Sequence, residues 1–147
     1  MKHLLLIIIM LFSFQIYCQN IFDKKFNNCK TEYFTTESDT TSVKMVSDFV
    51  SILSSNFEKE IVKKIRGVLS LQIIVDKEGR SCLLSLNNKT NIDTEKLDIK
   101  SIIDKNLLWK KTKQKISVIV ATKFYGNAVE VKRIGLSKEK GFHEIEN

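Results

Sequence analysis

The spacing of hydrophobic residues predicts three helices. In the first, which Thr41 or Ser42 would cap, the apolar side chains recur at steps of three and four: Val43, Val46, Phe49, Val50 and Leu53. A second, short helix is predicted at 57–65. A third is predicted at 94–108, and its apolar stripe consists of Ile99, Ile102, Ile103 and Leu107.

A hydrophobic period of two predicts the strands. The strand at 68–75 has one apolar face, formed by Leu69, Leu71, Ile73 and Val75. The strand at 80–86 would place three residues on a shared face: Cys82, Leu84 and Leu86. The strand at 116–124 is apolar on both faces, whereas 128–134 alternates with charges, which favours an edge. The predicted fold class is α+β: a small antiparallel sheet with a β-hairpin, a helix on one face and closing strands, preceded by one or two helices.

Between the first two strands, the acids of Asp76-Lys77-Glu78-Gly79 raise the question of a metal or catalytic site. Calcium takes about six to eight oxygen ligands, and two acids in four residues supply too few. Gly79 suits a turn that needs positive φ. The stretch is therefore predicted to be the turn of a β-hairpin.

The sequence contains no recognisable catalytic constellation, which predicts a non-enzymatic protein without a cofactor or metal. Of its two histidines, His3 lies in the N-terminal apolar segment and His143 lies near the charged C-terminus. A serine or cysteine nucleophile needs a base held beside it. Five glycines and no glycine-rich phosphate loop argue against a nucleotide site.

The N-terminus has the pattern of a secretory signal peptide. A basic start precedes an apolar run that is shorter than the roughly 20 residues of a membrane span. Cleavage after residue 18 would leave Gln19 first, and the Cys-Gln junction resembles export signals of the Bacteroidetes group. The alternative is lipidation of Cys18, which alone would attach the chain to a membrane.

Four regions are predicted along the chain. They are the signal peptide at 1–18, a poorly ordered segment at 19–41, one α+β domain at 42–136 and a charged tail at 137–147. Export would place Cys29 and Cys82 in an oxidising compartment, where two cysteines usually form a disulfide. Two free thiols are the alternative.

The formal net charge of +7 indicates a solvated basic face or attraction to an acidic surface. Most of the excess is scattered, apart from one lysine-rich stretch, which consists of Lys105, Lys110, Lys111, Lys113 and Lys115. An exported chain rarely meets nucleic acid, so a protein or membrane partner is expected rather than nucleic acid.

The order of strand, turn, strand, helix, tryptophan and strand resembles the C-terminal domain family of TonB, the periplasmic energy-transducing protein. The resemblance covers about residues 57–124 and includes small exported relatives in Bacteroidetes. It is carried by Phe57, Ile65-Arg66-Gly67, Val68–Val75, the Asp-Lys-Glu-Gly turn, Ile102, Ile103, Trp109 and the closing strand that ends at Phe124. Glu58 and Ala121 stand where this family often has proline.

The resemblance implies a protein-interaction module that adds an extended segment of an envelope protein or receptor to an open sheet edge. The candidate edges are 116–124 and 128–134. The expected contact residues are Ile116, Val118, Val120, Phe124, Lys110, Lys111, Lys113 and Lys115, with the lysines steering an acidic partner.

Two alternatives to this interpretation stay open. The edge would otherwise be covered by the tail or by a second protomer in a homodimer. The other functional class is a small secreted inhibitor or ligand-binding α+β domain, which an exposed apolar pocket would favour. The expected location in either case is the periplasm, the cell envelope or the exterior.

Overall fold

The computed structural model describes residues 20–126 and 128–145. The predicted signal peptide at 1–18, and with it the choice between cleavage and lipidation, lies outside the described residues. Within the described ranges, no helix is both long and apolar enough to cross a membrane. The strands there are β1 (Lys24–Lys25), β2 (Phe34–Thr36), β3 (Arg66–Val75), β4 (Ser81–Thr90), β5 (Lys115–Tyr125), β6 (Val129–Ser137) and β7 (Gly141–Glu144). The helices are α1 (Phe49–Asn56), α2 (Lys59–Lys64), α3 (Thr94–Leu97) and α4 (Ile99–Asn106).

The strands of the described chain form one seven-stranded sheet. Its order is β1-β4-β3-β5-β6-β7, and every pair in this order is antiparallel. β2 lies outside the order and runs parallel to the start of β5. β3 and β5 pair along their lengths, from Arg66 with Tyr125 to Val75 with Ile116. The predicted α+β class is confirmed.

The main core lies between the sheet and the helices. The predicted apolar face of β3 is confirmed, because all four of its side chains are fully buried: Leu69, Leu71, Ile73 and Val75. The predicted stripe of the third helix is buried against them: Ile99, Ile102, Ile103 and Leu107. Burial of each such side chain stabilises the fold by roughly 1.5–3 kcal/mol, so packing accounts for this pattern.

The first helix is shorter than predicted. α1 begins at Phe49, and the carboxylate of Asp48 accepts a hydrogen bond from its first turn at 3.1 Å, so both predicted caps are wrong. Residues 43–47 lie outside the helix, and the N–H of Val46 donates to the carbonyl of Leu108 at 2.9 Å. Tertiary pairing of the backbone has therefore overridden a helical pattern in the side chains.

The third predicted helix is divided in two. α3 ends at Leu97, and Asp98 has a φ of 42°, in the left-handed region, before α4 begins. A non-glycine residue in that region cannot continue a right-handed helix. The prediction of one continuous helix at 94–108 is therefore wrong, although its buried stripe is right.

A bulge in β4 changes which of its side chains share a face. The register with β3 skips Leu84. Leu83 and Leu86 consequently belong to the main core, whereas Cys82 and Leu84 lie outside it. The prediction that Cys82, Leu84 and Leu86 face one way is wrong, because an extra residue in a bulge reverses the alternation of a strand.

Both terminal segments are parts of the sheet. The segment at 19–41, predicted to be poorly ordered, supplies β1 and β2 from its described residues. The predicted charged tail at 137–147 supplies β7, which pairs with Ile134–Ser137. The sequence predicted none of these strands, because short polar strands have little hydrophobic periodicity and depend on partners from distant parts of the chain.

The predicted disulfide between Cys29 and Cys82 is present, with 5.6 Å between the Cα atoms. It ties the N-terminal segment to the sheet face opposite the helices. On that face the N–H of Ile21 donates to the side-chain oxygen of Gln72 at 2.8 Å, and the N–H of Phe22 donates to the Ser85 hydroxyl at 3.3 Å. The segment therefore covers buried polar groups of the sheet.

The Asp76-Lys77-Glu78-Gly79 stretch is a hairpin turn, as predicted. One carboxylate oxygen of Asp76 accepts hydrogen bonds from the backbone N–H groups of Glu78 and Arg80, each at 2.9 Å, and the other accepts from the Arg80 side chain. Burial acts to raise the pKa of Asp76, but the hydrogen bonds from Arg80 together hold that pKa below its ordinary value. Both oxygens of the Asp76 carboxylate therefore accept hydrogen bonds from residues of the turn itself.

Replacing Gly79 by alanine should lower the free energy of unfolding by at least about 1–3 kcal/mol. Gly79 has a φ of +82°, and an added Cβ would lie 2.1 Å from the backbone oxygen of Trp109. Urea denaturation of Gly79→Ala measures the loss. Lys77→Ala, an exposed change in the same turn, should stay within about 0.5 kcal/mol of the wild type. Equal losses in both variants would contradict this account of the turn.

Candidate functional site

β5 is an inner strand and does not provide a sheet edge. It pairs with β3 on one side and with β6 and β2 on the other. Its four predicted contact residues are at most 4% exposed: Ile116, Val118, Val120 and Phe124. The prediction of an edge contact at 116–124 is therefore wrong, because this strand is filled by neighbours on both sides and on both faces.

The other candidate edge, 128–134, corresponds closely to β6. The carbonyl of Ala128 accepts a hydrogen bond from the N–H of Tyr125 at 2.9 Å. Alternation along the strand then directs the backbone groups of even-numbered residues towards β5 and those of odd-numbered residues outward. The bond from the Ile145 N–H to the Arg133 carbonyl, on the outer side, agrees with this assignment.

The outer side of β6 is only partly covered. β7 pairs with Ile134–Ser137, so the predicted alternative in which the tail covers the edge holds for that half. Towards the N-terminal end of β6, no strand among residues 20–126 and 128–145 pairs with the outward groups of Val129 and Val131. These two residues define what we call the open edge.

Two apolar hollows lie beside the open edge. Val129 lines one of them together with Val50 of α1 and Phe57. Val131 lines the other together with Val43 and Met45. The open edge thus combines unpaired backbone groups with apolar recesses at alternate positions of the strand.

Besides its pairing with β6, β7 makes polar contacts with a neighbouring turn. Asp39 in that turn accepts hydrogen bonds from Nε2 of His143 at 2.9 Å and from the ammonium group of Lys140 at 3.1 Å. Nδ1 of His143 lies 3.0 Å from the Gly141 carbonyl. Both ring nitrogens therefore face oxygen acceptors, an arrangement that favours the doubly protonated ring.

Amide protection in β7 should fall as the pH rises. The contact with the Gly141 carbonyl and then the one with Asp39 raise the pKa of His143 above its ordinary value of 6.5. This contribution to stability is complete below about pH 6.5 and is lost as the pH rises through the raised, folded-state pKa. The His143 hydrogen bond also lowers the pKa of Asp39, whose contribution is lost only in acid.

Hydrogen exchange of 141–145 at about pH 5.5 and about pH 8.5, corrected for intrinsic rates, measures the effect. His143→Gln is the control, because a glutamine does not titrate and should remove the pH dependence. A pH dependence that persists unchanged in this variant would assign the effect to another group.

The lysines predicted to steer a partner are not equivalent. Lys115 is half-buried and pairs with the carboxylate of Glu32 at 3.2 Å, and Lys111 pairs with a glutamate in the hairpin turn at 2.8 Å. Lys110 and Lys113 are exposed and form no ion pair with other described residues. Lys110 and Lys113 are therefore the two of the four whose charge no described carboxylate compensates.

A further lysine joins them. The N–H of Lys110 donates to the carbonyl of Lys44 at 2.8 Å, which brings Lys44 beside the basic loop. Lys44, Lys110 and Lys113 line an open groove of about 600 Å³, which we call the lysine groove. The sequence pattern missed Lys44 because it assigned that residue to a helix.

Glu37 and Arg133 form a buried ion pair next to Val43, which lines the lysine groove. Glu37 is fully buried and Arg133 is 6% exposed. Nε of Arg133 donates to Glu37 at 3.1 Å, Nη2 donates to Glu37 and to the Val43 carbonyl, and the guanidinium lies 5.0 Å from the Trp109 ring centre. Burial raises the pKa of Glu37, whereas Arg133 acts to lower it.

Arg133 also lines the hollow beside Val131. This corner cavity has a volume of about 430 Å³ and apolar walls formed by Val43, Met45, Val131 and Ile145. Ser42 and Lys44 contribute its remaining polar lining. The sequence of β6 indicated a buried position for Arg133, because its side chain lies on the same face of the strand as those of Val129 and Val131. Glu37, in a polar stretch, gave no such indication.

Comparison with known proteins gives no relative. No protein family, curated protein or solved structure matches the chain. In the part of the chain that the structure describes, no group of three or more histidine, cysteine, aspartate or glutamate residues is placed to hold a metal ion. The candidate functional surfaces of the described chain are the open edge, the lysine groove and the corner cavity.

Proposed function

We propose that the mature chain is an exported, non-enzymatic protein-interaction module of the TonB C-terminal type. It binds an extended segment of an envelope protein as an added strand at the open edge of β6. The observation that carries the proposal is that the outward-directed backbone groups of Val129 and Val131 have no strand partner among the described residues.

Strand addition uses backbone hydrogen bonds for affinity and side-chain recesses for selectivity. The open edge offers both, because the hollows lined by Val50 and by Met45 lie beside it. Alternate side chains of an added strand would enter these hollows. Apolar residues at every second position of the partner segment are therefore expected.

The lysine groove supplies long-range attraction. Lys44, Lys110 and Lys113 lie close to the corner cavity, since Lys44 lines both the groove and the cavity. Charges of one sign around a binding surface raise association rates and lower them again at high salt. A partner with acidic residues beside its extended segment is therefore expected.

Photo-crosslinking from the open edge tests the proposal. A photoreactive residue at Val50, which is 38% exposed and lines one hollow, would capture the partner in intact envelopes. Val129→Pro should abolish the crosslink, because it removes an outward N–H without removing a hydrogen bond to β5. Val129→Thr keeps the N–H and the side-chain shape, and should retain the crosslink.

Charge reversal at Lys110 and Lys113 should weaken capture without abolishing it, because steering changes the rate of association more than the docked contacts. A crosslink of equal strength in Val129→Pro and Val129→Thr would refute strand addition at this edge. Capture only of a second copy of the chain would replace the proposed partner with a homodimer.

A second candidate function is a small secreted inhibitor or ligand-binding domain. The corner cavity favours the ligand-binding form, because its volume of about 430 Å³ falls within the range of small-molecule sites. Its mostly apolar walls and few polar groups also fit that class.

A further inference from the structure

The guanidinium of Arg133 has donors that the described chain leaves without an acceptor. Of its five N–H groups, the one on Nε and the two on Nη2 are directed to Glu37 and the Val43 carbonyl. The two on Nη1 have no hydrogen-bond acceptor within residues 20–126 and 128–145. Nη1 is not among the fully buried side-chain atoms that lack a partner, so its donors reach solvent, and the Arg133 side chain lines the corner cavity.

We propose that the corner cavity binds a carboxylate that carries a short aliphatic chain. The carboxylate would accept from Nη1 of Arg133. Glu37 already balances the charge of Arg133, so the excess positive charge comes from Lys44, which lines the cavity and makes no ion pair with another described residue. The Ser42 hydroxyl is a further donor at the same wall.

The rest of the cavity selects the aliphatic part. Met45, Val131 and Ile145 offer no hydrogen-bonding side-chain groups, apart from the weakly accepting sulfur of Met45. A branched chain of a few carbons fits these walls and would displace water from them, which is favourable in proportion to the apolar area buried. Met45 can adjust to the ligand because its side chain is unbranched and flexible.

The inference rests on the second candidate function and names its ligand class. The carboxylate has two sources, a free branched-chain acid or the C-terminus of a peptide that ends in an aliphatic residue. The cavity adjoins the open edge at Val131, so both sources have access to it.

Nuclear magnetic resonance titration of the purified protein tests the inference. The probes are 4-methylpentanoate and 4-methylpentanamide, followed by a pentapeptide that ends in leucine, with a free or an amidated C-terminus. The acid should shift the Arg133 Nε–H and Met45 methyl signals, and the amide should bind at least about tenfold more weakly. Binding of the free acid alone identifies a small ligand, and binding of the free-ended peptide identifies a protein C-terminus.

Four variants sharpen the test without removing Arg133, whose loss would disturb the fold. Lys44→Met should weaken binding of the acid by about tenfold, whereas Lys59→Met, an exposed lysine on α2, should leave it unchanged. Val131→Phe should fill the cavity and abolish binding. Val129→Pro should retain acid binding, so failure of the open edge and failure of the cavity are separable.

Equal shifts with the acid and the amide would overturn the inference. So would equal weakening by Lys44→Met and Lys59→Met, because a diffuse basic surface would then explain the binding. Inorganic phosphate that shifts the same signals as strongly as the acid would also overturn it, since the aliphatic walls would then contribute nothing.

Discussion

Replacing Arg133 by methionine should lower the free energy of unfolding by about 3–5 kcal/mol at about pH 8. Methionine retains an unbranched apolar stem over Trp109, so the change removes charge and hydrogen bonds more than packing. The variant leaves Glu37 fully buried and without its cation. Breaking one partner of a buried pair is costly because the other charge stays away from water.

The loss in Arg133→Met should be smaller in acid. Burial already raises the pKa of Glu37 in the wild type, and Arg133 opposes that rise, so its removal raises the folded-state pKa further. Above the unfolded-state pKa of about 4.3, the unfolded chain releases a proton that the folded variant retains. Stability of the variant therefore falls as the pH rises from that value to the folded-state pKa.

Urea denaturation at about pH 4.5 and about pH 8 measures both effects, with the wild type beside the variant. The matched control is the double variant Glu37→Leu with Arg133→Met, which leaves no buried charge. It should recover much of the lost stability and show no additional pH dependence from this site. A single variant that loses the same amount at both pH values would show that Glu37 is not the titrating group.

This ion pair also marks a limit of prediction from the sequence. The alternation of Val129 and Val131 with charged residues shows which face of β6 is buried, and Arg133 lies on that face. The partner was not available, because Glu37 lies 96 residues away in a polar stretch. A charged residue on an otherwise apolar face of a strand indicates a buried ion pair, but the identity of its partner depends on the tertiary fold.

The edge of the sheet illustrates a different limit. The alternation at 116–124 is apolar on both faces, which is typical of an inner strand, and the structure places it there. The family resemblance nevertheless left it as one of two candidate edges. The resemblance ends near Phe124 and does not include the C-terminal strands. In the structure β6 pairs with the side of β5 that β3 leaves free, and β7 pairs with the outer side of β6.

The segment at 43–47 shows why the first helix was misplaced. Its apolar residues recur at helical steps, yet Val46 is 63% exposed while Val43 is buried. Backbone pairing with the chain around Leu108 and Lys110 stabilises a non-helical conformation. The corner cavity and the lysine groove both depend on this conformation, so neither could be predicted from periodicity alone.

Loss of the disulfide should be nearly as destabilising as loss of Arg133. Cys29 and Cys82 are separated by 53 residues, and the chain-entropy model gives about 4 kcal/mol for a loop of that size. The double variant Cys29→Ser with Cys82→Ser should show this loss in urea denaturation. Reduction of the wild type should produce the same loss and a mass increase of two hydrogen atoms. An unchanged mass after reduction would refute the bond.

The structural effect should concentrate at the N-terminal segment. Without the bond, 20–29 is held on the sheet by the two-residue strand β1 and by contacts such as the Ile21–Gln72 hydrogen bond. Gln72 is 1% exposed and Ser85 is fully buried, so release of the segment would open buried polar groups to water. Hydrogen exchange should therefore rise in 20–29 and at the centre of β3, while 141–145 stays as protected as in the wild type. Uniform acceleration over the whole sheet would instead mean that the bond stabilises the fold globally, without a local attachment of the segment.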